Sequence, residues 1–200
     1  MGCTDSKGNR SRAEIESRIR EMLSRERYAH TLGVRDTAGD LARKYGCDVG
    51  KAELAALLHD VARDFSHDEI IDIIREDEPD TVFSPYVLHE PLLLHARAGA
   101  VLAKNQFGID DGEILRSIEY HTAGGPGMGL LDRIIYVADF IEPGRAMRGV
   151  RKARRLAWKN LDDAMLYILK RVIHYLLASG RCIINDSVDA CNELIKSRDD

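Results

Sequence analysis

The run Lys51-Ala52-Glu53-Leu54-Ala55-Ala56 leads directly into Leu57-Leu58-His59-Asp60-Val61-Ala62-Arg63-Asp64-Phe65. This junction restricts the fold more than any other stretch. Alanine and leucine are strong helix formers, and a segment so poor in polar side chains must pack on all sides. Successive helix positions lie about 100° apart, so His59 and Asp60 share one inward sector without competing for one spot. Burying an ionised aspartate beside an imidazole costs several kcal/mol unless something compensates it. A metal ion compensates well, provided other helices bring further ligands to the same place.

Local patterns favour helices throughout. Ser11-Arg12-Ala13-Glu14 is a capping box, and Ile15, Ile19, Met22 and Leu23 form the apolar stripe of a first helix. A second helix is predicted from Tyr28 to Tyr45, closed by Gly46, with His30, Val34, Ala38, Leu41 and Tyr45 facing inward. The third carries the His-Asp pair. Ser66-His67-Asp68-Glu69 is a second capping box and starts a short helix, Ile70 to Arg75; Ser84-Pro85 begins a brief helical turn. Periodicity resumes from Leu92 to Phe107, with His95 and Gly99 on one face, and again from Asp110 to Tyr120, leading to His121. Gly124-Gly125-Pro126-Gly127 breaks the chain, and Leu130 to Ile141 follows with Asp139 inward. Beyond the basic stretch Arg148 to Arg155, one or two helices are expected from Leu156 to Leu177, and a last from Asp186 to Lys196. No alternating strand pattern of useful length occurs. The expected class is all-α.

Bulk properties narrow the function. The 200 residues suffice for one domain with a real core, with 1–10 as a flexible polar tail and 11–200 as a single domain with its C-terminal helices packed on it. A formal charge of −4 argues against a nucleic-acid binder, because phosphate backbones select basic surfaces. No apolar run approaches the roughly 18–20 residues a membrane span needs. Met1-Gly2-Cys3-Thr4-Asp5-Ser6 formally fits a myristoylation pattern, but a short polar tail is favoured. Four cysteines without C-x-x-C spacing oppose disulfides and zinc knuckles. The expected location is the cytoplasm, with neither nucleic acid nor membrane as partner.

Four helices thus offer His30, the His59-Asp60 pair, His95 and Asp139 on inward faces, and His121 joins them from a helix terminus. Four imidazoles and two carboxylates suit two octahedral metal ions bridged by one carboxylate. Each histidine alone is more often a satisfied interior or surface residue. Asp139 is harder to dismiss, because Tyr136-Val137-Ala138-Asp139-Phe140-Ile141 is otherwise almost wholly apolar. The plain alternative for the whole set is a buried polar network, in which every ionisable group would need a partner.

The order H…HD…H…H…D, with Leu57-Leu58-His59-Asp60-Val61-Ala62-Arg63-Asp64, resembles the HD-domain phosphohydrolase superfamily. Within it the match is to the YqeK family, through Leu93-Leu94-His95, Tyr120-His121-Thr122-Ala123-Gly124, and the specific run Ile141-Glu142-Pro143-Gly144-Arg145. The resemblance spans most of the chain from about Glu26. It implies a helical bundle of about eight to ten helices and a di-metal centre, with iron first and Mn, Zn, Mg or Co as alternatives. It further implies a homodimer and symmetrical hydrolysis of diadenosine tetraphosphate to two ADP. By position, His30, His59, Asp60 and Asp139 would hold one metal, and His95 and His121 the second, with Asp60 bridging. The chain departs from the family pattern at Arg63, where a lysine is common, at Gly125, where a basic residue often stands, and at Ala96-Arg97, which replaces a frequent Gly-Pro pair.

The chemistry is self-consistent. A water shared by two metals serves as hydroxide near neutrality and would attack a phosphorus beside the central bridge. Asp60 and Arg63 are expected at the reacting centre. Asp64, one turn on, either orients the water or is an exposed helix-end carboxylate. Arg63, Arg145 and Arg148 are candidate phosphate clamps, since a planar fork suits non-bridging oxygens. Thr122 and Gly124 are candidate hydroxyl or backbone donors to substrate, with a plain helix stop as the alternative. For Arg151, Lys152, Arg154 and Arg155 a solvated face is favoured. Two rivals remain: another HD phosphohydrolase acting on a mononucleotide or guanosine alarmone, and a non-catalytic nucleotide-binding regulator. The full ligand set opposes the latter, because a pure binder needs no hydroxide generator.

Overall fold

The computed structural model describes residues 11–88 and 91–198. The expected tail 1–10, with its Met1-Gly2 pattern and Cys3, lies outside them, as does His89. Among the described residues there are eleven helices and no strand: α1 (Arg12–Met22), α2 (Arg25–Tyr45), α3 (Val49–Leu58), α4 (His67–Asp77), α5 (Pro85–Leu88), α6 (Pro91–Phe107), α7 (Gly112–Tyr120), α8 (Leu130–Ile141), α9 (Val150–Ala157), α10 (Leu161–Ala178) and α11 (Asn185–Lys196).

The local signals act as anticipated at most boundaries. Both capping boxes form, Ser11 with Glu14 and Ser66 with Glu69. Gly46 ends α2 with φ +73°, in the left-handed region where only glycine is unstrained. Asp111 caps α7 by accepting from the Glu113 and Ile114 amides, so the helix expected from Asp110 begins at Gly112.

Two differences have physical causes. The helix count exceeds the expected eight to ten because the basic stretch is itself helical. Val150, Ala153 and Ala157 form a buried i, i+3, i+7 stripe on α9, and charge on the other faces masks that period. Second, α3 stops at Leu58, one residue before the His-Asp pair. His59 is its C-cap, and the chain continues through tight turns in which Val61 donates to Leu58 O and Arg63 to Asp60 O.

Helix α8 sits at the centre, packed by α2, α3, α7, α9 and α10. It buries Ile134, Ile135, Val137 and Ala138 completely. Across it, α3 presents Ala52, Ala55 and Ala56, which lets α2 approach. Helix α6 passes equally close: a Cβ on Gly99 would lie 3.4 Å from the carbonyl oxygen of His59. These approaches bring α2, the end of α3, α6, the end of α7 and the end of α8 to one point.

Candidate metal centre

Two histidines reach that point by the same device. His59 caps α3 and His121 caps α7, each just past a last helical turn whose carbonyls no longer have the regular amide four residues on. His59 Nδ1 donates to Ala56 O at 2.6 Å, and His121 Nδ1 donates to Ile118 O at 2.7 Å. A ring nitrogen facing a carbonyl must carry the proton, so in each neutral imidazole Nε2 is left with a lone pair. His59 Nε2 is fully buried and has no hydrogen-bond partner. His121 Nε2 points at His95 Nε2, 3.1 Å away, and Thr122 Oγ1 lies 3.0 Å from the former and 3.4 Å from the latter.

Asp60 stands between two donor groups, one on each of its oxygens. Oδ1 lies 3.1 Å from His95 Nε2 and 3.5 Å from His121 Nε2; Oδ2 lies 3.4 Å from His59 Nε2 and 3.7 Å from His30 Nε2. His30 Nε2 is also 2.9 Å from Asp139 Oδ1. Ligand atoms of His30, His59 and Asp139, and likewise of His59, Asp60 and His121, lie within 4.8 Å of one another. So many converging lone pairs, with one buried nitrogen orphaned, call for a cation among them. The donor set fits the metals that imidazole and carboxylate hold.

The electrostatics agree. Burial opposes charge on Asp60, but His59 and hydrogen bonds from the surrounding imidazoles outweigh it and hold its pKa well below the carboxylate range. At Asp139 burial is likewise overcome, by His30, His59 and Arg145. Burial also works against a proton on His59, yet Asp60 beside it leaves the pKa raised. For His95 burial prevails and the pKa is lowered. Both carboxylates are therefore ionised at neutrality.

Glu142 belongs to the site although the sequence alone does not assign it there. It is 4% exposed, and its Oε1 lies 3.1 Å from His30 Nδ1, so that Nε2 of His30 faces the centre. Its Oε2 accepts from the Gly144 amide at 2.5 Å. Two glycines make room: a Cβ on Gly33 would lie 2.7 Å from Oε2, and one on Gly144 3.0 Å from both oxygens. A glutamate directly after an apolar helix, inside the Ile141-Glu142-Pro143-Gly144-Arg145 run, is the available signal. Arg27 carries none, being an ordinary charged residue early in α2, yet its Nη1 donates to Asp60 Oδ2 at 2.8 Å.

The centre opens to a cleft of about 190 Å³ lined by Arg27, Asp60, Arg63, His95, His121, Thr122, Asp139 and Arg145. Arg145 Nη2 donates to Asp139 Oδ1 at 2.6 Å. Three other candidates lie elsewhere. Asp64 Oδ2 accepts from the amide of Ser24, the N-cap of α2, at 2.8 Å. Gly124, at φ +72°, donates to Tyr120 O as a helix stop, and a Cβ there would meet Ala190 and Leu169. Arg148 lines a neighbouring apolar cavity with Phe140, Met147 and Tyr175.

Arg154 departs from the solvated-face reading. It donates to the carbonyls of Ile141 (2.8 Å), Glu142 (2.6 Å) and Arg145 (2.9 Å), and so ties down the loop that carries Glu142 and Arg145. Two departures from the family pattern also find partners: Arg97 pairs with Glu78, and Gly125 lies under the Tyr120 ring, where a Cβ would come within 2.7 Å of Cζ.

The family model for the HD domain matches residues 27–144, more than half of the chain, a span that includes His30, His59, Asp60, His95, His121 and Asp139. The chain belongs to the HD domain family. Its HD relatives include the symmetrical bis(5'-nucleosyl)-tetraphosphatase of Bacillus subtilis, 39% identical over 92% of this chain and 98% of that protein. The protein of the same description from Staphylococcus aureus is 34% identical over 86% and 89%. A crystal structure from Clostridium acetobutylicum, described as a predicted HD superfamily hydrolase involved in NAD metabolism, superposes with a TM-score of 0.91 at 38% identity. The match covers 95% of this chain and all of that one. HD domains of this kind bind divalent metal, and this chain supplies His/Asp groups that can hold it.

Proposed function

We propose that this HD protein hydrolyses dinucleoside tetraphosphates symmetrically, releasing two nucleoside diphosphates, with diadenosine tetraphosphate as the reference substrate. The observation that carries the reading is Asp60, whose two oxygens face separate groups of histidines. The family and the activity named for relatives that align over nearly their whole length support it.

In this reading His30, His59 and Asp139 would hold one metal, His95 and His121 the other, with Asp60 serving both; such ions would supply Lewis acidity and an activated water. The remaining work belongs to the chain. Arg63, Arg145 and Arg27 face the cleft and neutralise non-bridging phosphate oxygens as charge shifts in the transition state. Thr122 Oγ1, beside His95 and His121, orients a phosphate oxygen on that side. Asp64 holds the turn after Asp60 to the start of α2, and so sets where Arg27 stands. Arg148 and Gly124, outside the cleft lining, act on substrate only through the parts of the chain they support.

Iron is our assignment for the metal, a cytoplasmic homodimer our assignment for the state. An imidazole-rich, thiol-free donor set is compatible with iron, and exposed Trp158, Leu177 and Ile195 offer apolar surface for a second copy. Anaerobic purification with metal analysis and sedimentation tests both. For the reaction, metal-loaded protein given diadenosine tetraphosphate should yield ADP as sole product. ATP plus AMP would reject the symmetrical cut, and turnover of guanosine alarmones alone would move the protein to another HD activity.

A further inference from the structure

The charged cleft accounts for phosphate but not for the two nucleosides at the ends of the substrate. Thr122 also borders a second cavity, of about 180 Å³. Its lining is mostly apolar, with Leu93, Val172, Leu176 and Cys182 beside the polar Arg181 and Ser187, and it includes Tyr175, which is 59% exposed. Thr122 is thus the joint between a polar compartment that ends at His95 and His121 and an apolar one that begins behind it.

That order matches the order of groups along one half of a dinucleoside tetraphosphate, with phosphate at the centre and a flat apolar base outermost. The exposed Tyr175 supplies an aromatic ring to that lining, and every base has a π-face that can stack on one. We propose that the cavity beyond Thr122 is a nucleoside subsite, which takes the base of one half of the substrate while the charged cleft takes its phosphates. The subsite rests on the dinucleotide-hydrolase reading and supplies what a phosphate-only cleft lacks, discrimination between a nucleotide and a bare polyphosphate. Aromatic stacking and apolar enclosure are sequence-tolerant, so the subsite selects for the presence of a base before its identity.

Equilibrium binding of ADP and of inorganic pyrophosphate to the metal-loaded protein separates the two compartments, because the ligands share a diphosphate and differ in the nucleoside. Wild type should bind ADP more tightly than pyrophosphate. Cys182→Phe, which fills the cavity, should weaken ADP about tenfold and leave pyrophosphate and metal content unchanged. If that variant does not fold, Tyr175→Ala carries the same test, since an exposed side chain can be removed without opening the core. Unchanged ADP affinity overturns the proposal, and so does equal weakening of both ligands, which would place the effect at the metals. A wild type that prefers ADP through this cavity but leaves dinucleoside tetraphosphates intact would remove the hydrolase reading and keep the subsite.

Discussion

At the scale of the residue, the sharpest demands fall on Asp60 and Glu142. Asp60→Ala removes the carboxylate whose two oxygens face both sets of histidines, so metal content and turnover should fall together. Elemental analysis of the purified variant checks this, and full turnover with stoichiometric metal would end the bridging assignment. Glu142→Gln keeps the shape but weakens the hold on His30 Nδ1. Losing such an outer partner typically costs about 10–100-fold in metal affinity, measurable by competition with a chromophoric chelator. The same titration repeated against pH has a definite sign. Metal must displace protons from imidazole, and His59 holds its proton above the ordinary 6.5 because Asp60 outweighs burial. Affinity should therefore fall as pH drops, first as His59 takes up its proton above 6.5 and later as His95, lowered by burial, does so below it. In metal-free protein the depressed Asp60 and Asp139 act lower down. Their charged forms stabilise the fold above the ordinary carboxylate value of 3.8, and that contribution is lost only as pH falls through their lower folded values.

At the scale of the element, α2 and the loop after α8 show where helix propensity and function part company. Gly33→Ala should gain helix propensity, glycine costing roughly 1 kcal/mol against alanine. Yet its Cβ would stand 2.7 Å from Glu142 Oε2 and push that carboxylate off His30. The expected result is an unchanged or higher melting temperature with weaker metal binding; coincident loss of both would instead mean that α2 itself is damaged. Sequence periodicity makes these helices legible, because capping boxes, stop glycines and the 3.6-residue period are local properties. The end of α3 is not legible in the same way. Nothing in Leu58-His59-Asp60 says that the helix stops so that a histidine can use its orphaned carbonyls; that depends on α6 crossing at Gly99. Arg154 escapes a sequence reading for a related reason, since a basic run looks alike whether its guanidinium meets water or three carbonyls from a loop about ten residues upstream.

At the scale of the whole molecule, the inward histidines and aspartates can be read in order along the chain, but their division between the two oxygens of Asp60 cannot. It arises from helices far apart in sequence meeting at α8. Arg27 shows the limit well: only the fold brings an unremarkable charge of α2 to 2.8 Å from Asp60. The clamp from α9 has a consequence for how the protein can be cut. The HD match ends at residue 144, which invites the view that the remaining helices are an accessory that could be removed. Arg154 lies beyond that boundary, yet it supplies the bonds that fix the carbonyls of Ile141, Glu142 and Arg145. A chain shortened to the matched segment loses Arg145 itself and should leave the carbonyls of Ile141 and Glu142 without their Arg154 bonds, about 1–3 kcal/mol for each that stays buried, and bind metal poorly even where it stays helical by circular dichroism. The smallest autonomous catalyst is therefore larger than the matched HD segment, and its C-terminal helices are not detachable cargo but part of the mould in which the active centre is cast.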